Sequence, residues 1–495
     1  MFVKLSKNSF VRYFDDKVYV TNQVTQNEIF LNETALVFMH AINRTPITID
    51  KIENLAMGVY GDSVTQETLR SELTAFLNYM IKEKYLVQGE SISEIDQNDK
   101  SFSYTNYNLS TFQRRKTRYA ISDNYRDSLQ YMNELSHEKP RLMGLQFEIT
   151  GRCNERCIHC YIPNFQKDCG TDLPTQDIFR VIDEFADMGG LGVTLSGGEA
   201  FMHKDIIPII KYCRQKDLQI SILSNLVALQ DSYIQDLQEA NISVIQVSLY
   251  SMKPQIHDKI TKHKGSFQKT INSIEKLVAA DIPIQIACPV MKENYKDYKD
   301  VLKYAESLAC RVQSDFIMMA QSDLDTSNLV HRLSLGETKE LIKDIIEWDT
   351  NYRSWLDYSK HKVKAKRIPS MHDPVCAVGR HDICISNNGD VYPCAGWQGM
   401  IIGNIYSSSL QSIWNNSTKL KDIRSISLSS FPQCVKCDAK DYCSPCLMRN
   451  YNENNGDMFA IATHFCSVAF LTKQLVEEYF EKNKNVEETE NPLTE

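Results

Sequence analysis

Three cysteines fall within eight positions of one another in the stretch ITGRCNERCIHCYIPN, residues 149–164: Cys153, Cys157 and Cys160. Thiolates spaced this closely bind soft metals or iron–sulfur clusters. A structural zinc site closes with four ligands, and no fourth cysteine stands close by. Cys169 is nine residues on, beyond Pro163, and His159 lies between two of the thiols. A cubane cluster held by three thiolates leaves one iron open. That arrangement is useful only if a substrate or cofactor fills the open position.

A second group runs from Cys376 to Cys466. CAVGRHDICISNNGDVYPC carries Cys376, Cys384 and Cys394; CVKCDAKDYCSPC carries Cys434, Cys437, Cys443 and Cys446; Cys466 follows in THFCS. The two C-x2-C pairs taken alone favour zinc knuckles. Asn388-Gly389 is a hairpin signal that can hold Cys394 beside the chain carrying Cys376. A two-residue turn there would pair Cys384 with Pro393 and point Cys384 and Cys394 to opposite faces. Cys169, Cys213, Cys288 and Cys310 lack matching partners and read as small buried hydrophobes.

The elements that must position the first loop lie in residues 141–330. Six short apolar runs, LMGLQFEIT, LGVTLSGG, LQISILSN, SVIQVSLY, PIQIACPV and SDFIMMA, alternate with helical stretches such as TQDIFRVIDEFADM. This alternation implies parallel strands with crossover helices. The expected fold class is α/β, a partial (β/α)6 barrel whose site lies at the C-terminal ends of the strands. The three cysteines follow the first strand.

The remaining organisation is coarser. Residues 1–95 read as a separate unit of short strands and three helices, with Asn32 capping the first. Residues 96–140 read as a linker with one connecting helix, 331–375 as a bridging region with one clear helix, and 376–470 as the cysteine-rich domain. Residues 471–495 read as an acidic tail. A net charge of −8 argues against nucleic acid as a partner. No apolar run is long enough to span a membrane, and the N-terminus does not read as a signal peptide. The expected location is the cytoplasm, where clustered cysteines more often bind metal than form disulfides.

Cys153, Cys157 and Cys160 after a first strand resemble the radical AdoMet (S-adenosylmethionine) superfamily. The resemblance implies that AdoMet occupies the open iron and that its reductive cleavage gives a 5′-deoxyadenosyl radical that abstracts hydrogen. It implies that Ser196, Gly197, Gly198 and Glu199 receive the AdoMet amino group. Ser224, Asn225 and Ser248 match family positions near the nucleoside, and His159 takes the aromatic position that contacts adenine. The stretch HDKITKHKGSFQKT extends the likeness. No catalytic acid or base stands out, although Asp315, Asp323 and Asp325 lie near the sixth strand end.

The second cysteine group resembles the SPASM extension of that superfamily, with C-x2-C at Cys443–Cys446 where the usual spacing is C-x3-C. The analogy implies two auxiliary clusters. Cys376, Cys394 and Cys446 would bind one, with Cys384 a candidate fourth ligand; Cys434, Cys437, Cys443 and Cys466 would bind the other. With the first loop this makes three [4Fe–4S] clusters. Residues 1–95 resemble the RiPP recognition element, a winged-helix module that binds leader peptides of ribosomally made, modified peptides by strand addition. Together these imply a peptide maturase that installs a crosslink, a thioether first and a carbon–carbon or ether bond second. Its partners would be a precursor peptide and an electron donor such as flavodoxin or ferredoxin. A SPASM dehydrogenase acting on a protein side chain and a zinc-stabilised peptide-binding adaptor are the alternatives.

Overall fold

The computed structural model describes the chain except residues 15–16, 106–138, 169, 351, 354–355, 357–369, 444 and 488–495. The connecting helix expected in 96–140 and the reading of Cys169 lie outside the described residues.

The N-terminal unit is built from two three-stranded antiparallel sheets and three helices. Strand β1 (Phe2–Leu5) lies between β5 (Ile47–Thr48) and β6 (Leu86–Gly89); β3 (Val18–Asn22) lies between β2 (Ser9–Tyr13) and β4 (Glu28–Leu31). Helix α1 (Glu33–Ala41) starts where Asn32 accepts from the Ala35 N–H, as its position predicts. Thr48 and Thr65 cap α2 (Ile49–Tyr60) and α3 (Gln66–Lys82) in the same way. Leu69, Leu73, Leu77 and Met80 form the buried stripe of α3, and they pack with Val3, Phe38, Met39 and Ile52. The unit continues past residue 95: α4 (Ile92–Asn98) covers β6 and β1, and Asp99 accepts from the Lys7 N–H and the Ser6 hydroxyl.

The central sheet has six parallel strands: β7 (Gly144–Thr150), β8 (Gly192–Gly197), β9 (Gln219–Ser224), β10 (Val244–Ser248), β11 (Ile284–Pro289) and β12 (Arg311–Asp315). They follow one another in sheet order, with helices crossing over between them. One face buries Leu145, Phe147, Ile149, Val193, Leu195, Ile220, Ile222, Ile245 and Val247 against those helices. The other face is polar, with Gln146, Thr194, Ser221, Gln246, Gln285 and Gln313 on its strands. The sixth strand is Arg311–Asp315, not the apolar run SDFIMMA. It is an edge strand with exposed polar side chains and so lacks an apolar signature.

The cysteine-rich region extends this sheet. Strand β13 (Asp382–Ile385) pairs parallel with β7, and β14 (Asp390–Tyr392) and β15 (Gly403–Asn404) complete nine strands. The hairpin is one residue longer than a two-residue turn. Ser386 N–H bonds Asp390 O across a three-residue loop, with Gly389 in the left-handed region at φ +83°. Cys384 therefore pairs with Tyr392, not Pro393, and Cys384 and Cys394 fall on the same face rather than opposite ones. The helix Leu335–Trp348 follows its capping box at Ser334 and Glu337. The last helix, Thr463–Glu487, is continuous through most of the stretch expected as an acidic tail. Leu475 and Val476 pack on Ile342, Ile346 and Leu356, which gives that polar stretch an apolar seat.

The N-terminal unit sits at the N-terminal ends of the parallel strands. Arg12 donates to Gly190 O and Asp217 O, Arg44 pairs with Asp217, and Gln23 donates to Asn241 O. These acceptors all lie in loops that lead into β8, β9 and β10. Among the described residues no helix is long and apolar enough to cross a membrane.

Leu73 is fully buried in the N-terminal core. Leu73→Ala should destabilise the unit by about 2–5 kcal/mol through lost burial and a residual cavity. Denaturant unfolding monitored in residues 1–100 checks this.

Candidate functional site

The loop after β7 is held by backbone contact with the turn after β8. A Cβ on Gly197, at φ +133°, would meet Thr150 O at 2.3 Å, and one on Gly198 would meet Arg152 O at 2.3 Å. Only glycine allows two strand ends this close. The Gly198 and Glu199 N–H groups then bond Thr150 O and Arg152 O. From the other side the HDKIT helix, Pro254–Thr261, fixes the loop: Arg156 N–H bonds Thr261 O, Ile158 N–H bonds Ile260 O, and His263 Nδ1 meets Asn154 O at 2.9 Å.

Within this frame Cys153, Cys157 and Cys160 come within electrostatic reach of one another. Burial pushes the Cys153 thiol up to about 11 and the Cys157 thiol well above its ordinary value, and neighbouring thiols add to both. Buried thiols of this kind ionise only against a cation, which a metal centre supplies. The Cys157 thiol donates to Glu155 Oε2 at 3.3 Å. The Tyr250 hydroxyl lies 3.9 Å from the same sulfur and 3.4 Å from His159 Nε2. Burial first, and then Lys167, lower the His159 pKa to about 4, so the imidazole is neutral. Among the described residues, His159 Nδ1 and Glu155 Oε1 are buried without a hydrogen-bond partner. Two orphaned polar atoms beside three half-buried thiols fit a metal centre that carries a polar ligand.

Glu199 has no comparable vacancy. Its Oε1 accepts from Phe201 N–H and the Ser224 hydroxyl, and its Oε2 accepts from Asn225 N–H. The Ser224 oxygen also accepts from Leu226 N–H, and the Asn225 amide donates to Asn154 Oδ1. Glu199, Ser224 and Asn225 thus tie the ends of β8 and β9 to the cysteine loop. Ser196 and Ser248 stand at the ends of β8 and β10, Ser248 beside the Tyr250 hydroxyl. Of the three aspartates near the sixth strand end, Asp315 closes β12, while Asp323 and Asp325 sit in an exposed turn.

Residues that the motifs did not mark complete the site. Glu155 lies inside the loop, and burial raises its pKa to about 8. Lys167, on the short helix Asn164–Asp168, is 4% exposed. Glu148 points from β7 to the polar face, between the Tyr161 hydroxyl at 3.3 Å and Gln398 Nε2 at 2.9 Å. Burial raises its pKa to about 7. Glu148 could have been found from its place on a strand whose other inward side chains are uncharged. Glu155 and Lys167 carry no such signal.

The second cysteine group divides in two. Cys376, Cys394 and Cys446 influence one another electrostatically. Cys434, Cys437, Cys443 and Cys466 line one cavity of about 300 Å³ with Val375, Leu428 and Phe470. The shorter Cys443–Cys446 spacing thus still splits those two residues between the sets. Cys384 is fully buried beside Glu148 as well as Cys394. Among the described residues no three His, Cys, Asp or Glu side chains converge closely enough to hold a single metal ion. Thiolates around a multi-iron cluster stand further apart than donors around one ion.

Residues 147–305 match the Radical SAM superfamily, and residues 376–438 match SPASM, an iron-sulfur cluster-binding domain. The first domain binds AdoMet and a [4Fe–4S] cluster, and the second binds auxiliary iron–sulfur clusters. The chain is 26% identical over 330 residues to the antilisterial bacteriocin subtilosin biosynthesis protein AlbA of Bacillus subtilis, covering 64% of this chain and 70% of AlbA. It is 25% identical over 332 residues to the AdoMet-dependent heme synthase of Methanosarcina barkeri, covering 63% and 92%. The fold is similar to that of Streptococcus suis SuiB bound to the precursor peptide SuiA, with TM-score 0.61, 14% identity, and 93% and 98% coverage.

Because the folded chain holds Glu148 protonated to a higher pH than the unfolded chain does, its contribution to stability falls as pH rises from about 4.5 to about 7. Glu148→Gln removes that loss. The melting temperature of the variant relative to the parent should rise between pH 5 and pH 8, measured by thermal melts across that range.

Proposed function

We propose that this chain, a radical SAM enzyme with a SPASM domain, matures a ribosomally made precursor peptide by installing a crosslink, a thioether first. The observation that carries the reading is the loop itself: three thiols gathered after β7, in a loop pinned between the Gly197–Gly198 turn and the HDKIT helix. Cys153, Cys157 and Cys160 would hold the cluster, and the protein would leave its fourth position to AdoMet. When bound, the cluster and AdoMet together supply a 5′-deoxyadenosyl radical that abstracts hydrogen.

The chain's own residues bind and orient. His159 Nδ1 and Glu155 Oε1, both without partners among the described residues, would be the polar atoms offered to AdoMet. The backbone of Gly197–Gly198 lets it approach the strand ends, while Glu199 fixes that backbone. The polar face of the sheet would receive the peptide. Glu148, half-titrated near neutral pH, can take or return a proton there. Thioether closure from a C–H and an S–H is a two-electron oxidation, which is the chemical reason for further thiol-held redox centres. Cys376, Cys394 and Cys446, with Cys384 beside them, would hold one; Cys434, Cys437, Cys443 and Cys466 would hold the other. A flavodoxin or ferredoxin in the cytoplasm would supply electrons.

Likeness to a bacteriocin biosynthesis protein and to a fold solved with a precursor peptide supports a peptide substrate. Residues 1–95 would dock the leader on the edge of a sheet, as a RiPP recognition element does. With the unit at the N-terminal strand ends, a leader docked there would lie at the opposite end of the parallel sheet from the cysteine loop. Strands of five to seven residues separate the two ends, so the peptide must span roughly 20 Å at about 3.3 Å per residue. The likeness to heme synthases favours a second reading, oxidation of a porphyrin with the same radical.

Replacing Cys153, Cys157 and Cys160 together by Ala should abolish 5′-deoxyadenosine formation. Iron in the reconstituted chain should fall from about twelve to about eight atoms, as three cubanes become two. A triple variant that still cleaves AdoMet would refute the assignment. The peptide reading is checked by photo-crosslinking a leader-bearing precursor and by shortening its spacer. Crosslinks should map within residues 1–100, and modification should stop once fewer than about six residues separate docked leader and target. Crosslinks confined to residues beyond 140 would remove the docking role.

A further inference from the structure

The stretch KPQIHDKITKHKGSFQK, residues 253–269, holds five lysines and one acid, in a chain with 63 acidic residues to 55 lysines and arginines. The acid is engaged inside the fold. Asp258 accepts from the Gly265 and Phe267 N–H groups and from the Ser266 hydroxyl, closing the turn between the helices Pro254–Thr261 and Ser266–Ala279. Lys253 pairs with Asp297 at 2.8 Å. Lys259, Lys262, Lys264 and Lys269 are exposed and have no ion pair among the described residues.

The same segment is in direct backbone contact with the cysteine loop. Thr261 O accepts from Arg156 N–H at 2.9 Å, and Ile260 O accepts from Ile158 N–H at 3.0 Å. Lys262 and Cys157 thus adjoin the two residues that share one hydrogen bond. The segment also lies outside the sheet. It is the crossover between β10 and β11, and Phe267, Ile271, Ile274 and Leu277 seat it in the core on the apolar face. The four lysines therefore border the cysteine loop from the outer side, away from the polar face that would receive the peptide.

We propose that Lys259, Lys262, Lys264 and Lys269 form the docking surface for an acidic one-electron carrier protein, of the flavodoxin or ferredoxin kind, that reduces the cluster through the loop behind them. This rests on the reading of Cys153, Cys157 and Cys160 as cluster ligands. Electron transfer falls off steeply with distance, so a carrier must seat beside that loop. Redox encounters are small and transient, and complementary charge sets their on-rate more than their affinity. Four unpaired positive charges on an otherwise acidic chain supply that steering. One electron leaves the carrier, a flavin hydroquinone becoming a semiquinone, and one electron enters the cluster. No bond forms or breaks at the lysines.

The test sets two reductants of opposite charge against the reconstituted full chain: the hydroquinone of an acidic flavodoxin, and the methyl viologen radical cation. Stopped-flow absorbance follows cluster reduction at roughly 0.01 M ionic strength, where the Debye length is about 30 Å. In a variant with Lys259→Glu, Lys262→Glu, Lys264→Glu and Lys269→Glu, the flavodoxin rate should fall about tenfold or more. The viologen rate should not fall, which shows the cluster intact. Added salt should slow flavodoxin on the parent chain but not on the variant. Equal flavodoxin rates in parent and variant overturn the proposal. Equal slowing with both reductants, in this variant and in the matching Lys→Gln variant, would make the lysines structural and overturn it too. So would a variant that flavodoxin reduces at the parent's rate but that no longer modifies the precursor peptide, since the patch would then serve the peptide. A parent chain that neither reductant reduces would remove the cluster reading instead. The surface is then judged by calorimetric titration with oxidised flavodoxin, and binding unchanged by the four Glu substitutions overturns it.

Discussion

The close approach of the Gly197–Gly198 turn to the backbone of Thr150 and Arg152 is the contact on which the site depends. It brings the ends of β7 and β8 nearer than side chains on either would allow. Glu199 then spans to β9 through Ser224 and Asn225, so the ends of β8 and β9 share one buried carboxylate, while the Glu199 N–H bonds Arg152 O after β7. A carboxylate with three protein donors is a rigid joint. The cysteine loop inherits that rigidity at its base, and the HDKIT helix supplies it along its length. A loop held this way can present thiols in a fixed arrangement before any metal arrives, which lowers the ordering cost of binding.

The same sheet separates the tasks of the molecule. Its apolar face is filled by crossover helices, and its polar face is left to amides, hydroxyls and one buried acid. Strand β13 joins β7 directly, so the cysteine-rich region continues the sheet rather than hanging from it. Glu148 and Cys384 face one another across that junction. The N-terminal unit grips the opposite end through Arg12, Arg44 and Asp217. Substrate recruitment at one end and radical chemistry at the other would make the length of the peptide part of its specificity.

Much of this was legible from residue type and spacing. The C-x3-C-x2-C loop, the Gly-Gly-Glu turn, alternating strands and helices and the Asn32 cap all follow local rules, because each depends on neighbours a few residues apart; the division of the later cysteines into two sets came only from the family resemblance. Local rules also explain the errors. The sixth strand hides because an edge strand needs no apolar run. The last helix hides because Leu475 and Val476 find their apolar partners more than a hundred residues away, on Ile342 and Ile346.

The sequence by itself determined the ligand types, the order of elements and the kind of centre the chain can hold, since thiol spacing and hydrophobic period are properties of the chain. Only the tertiary structure decided which polar atoms are left unpartnered and which charges face sulfur. Glu199, Ser224 and Asn225 satisfy one another, whereas His159 Nδ1 and Glu155 Oε1 find no partner among the described residues. Lys167 could have been any surface lysine until the fold buried it. The one-residue change in the hairpin brought Cys394 to the face of Cys384, and the pairing of β13 with β7 put that face beside Glu148. Burial and register are set by contacts between distant segments, and those contacts exist only once the strands have assembled.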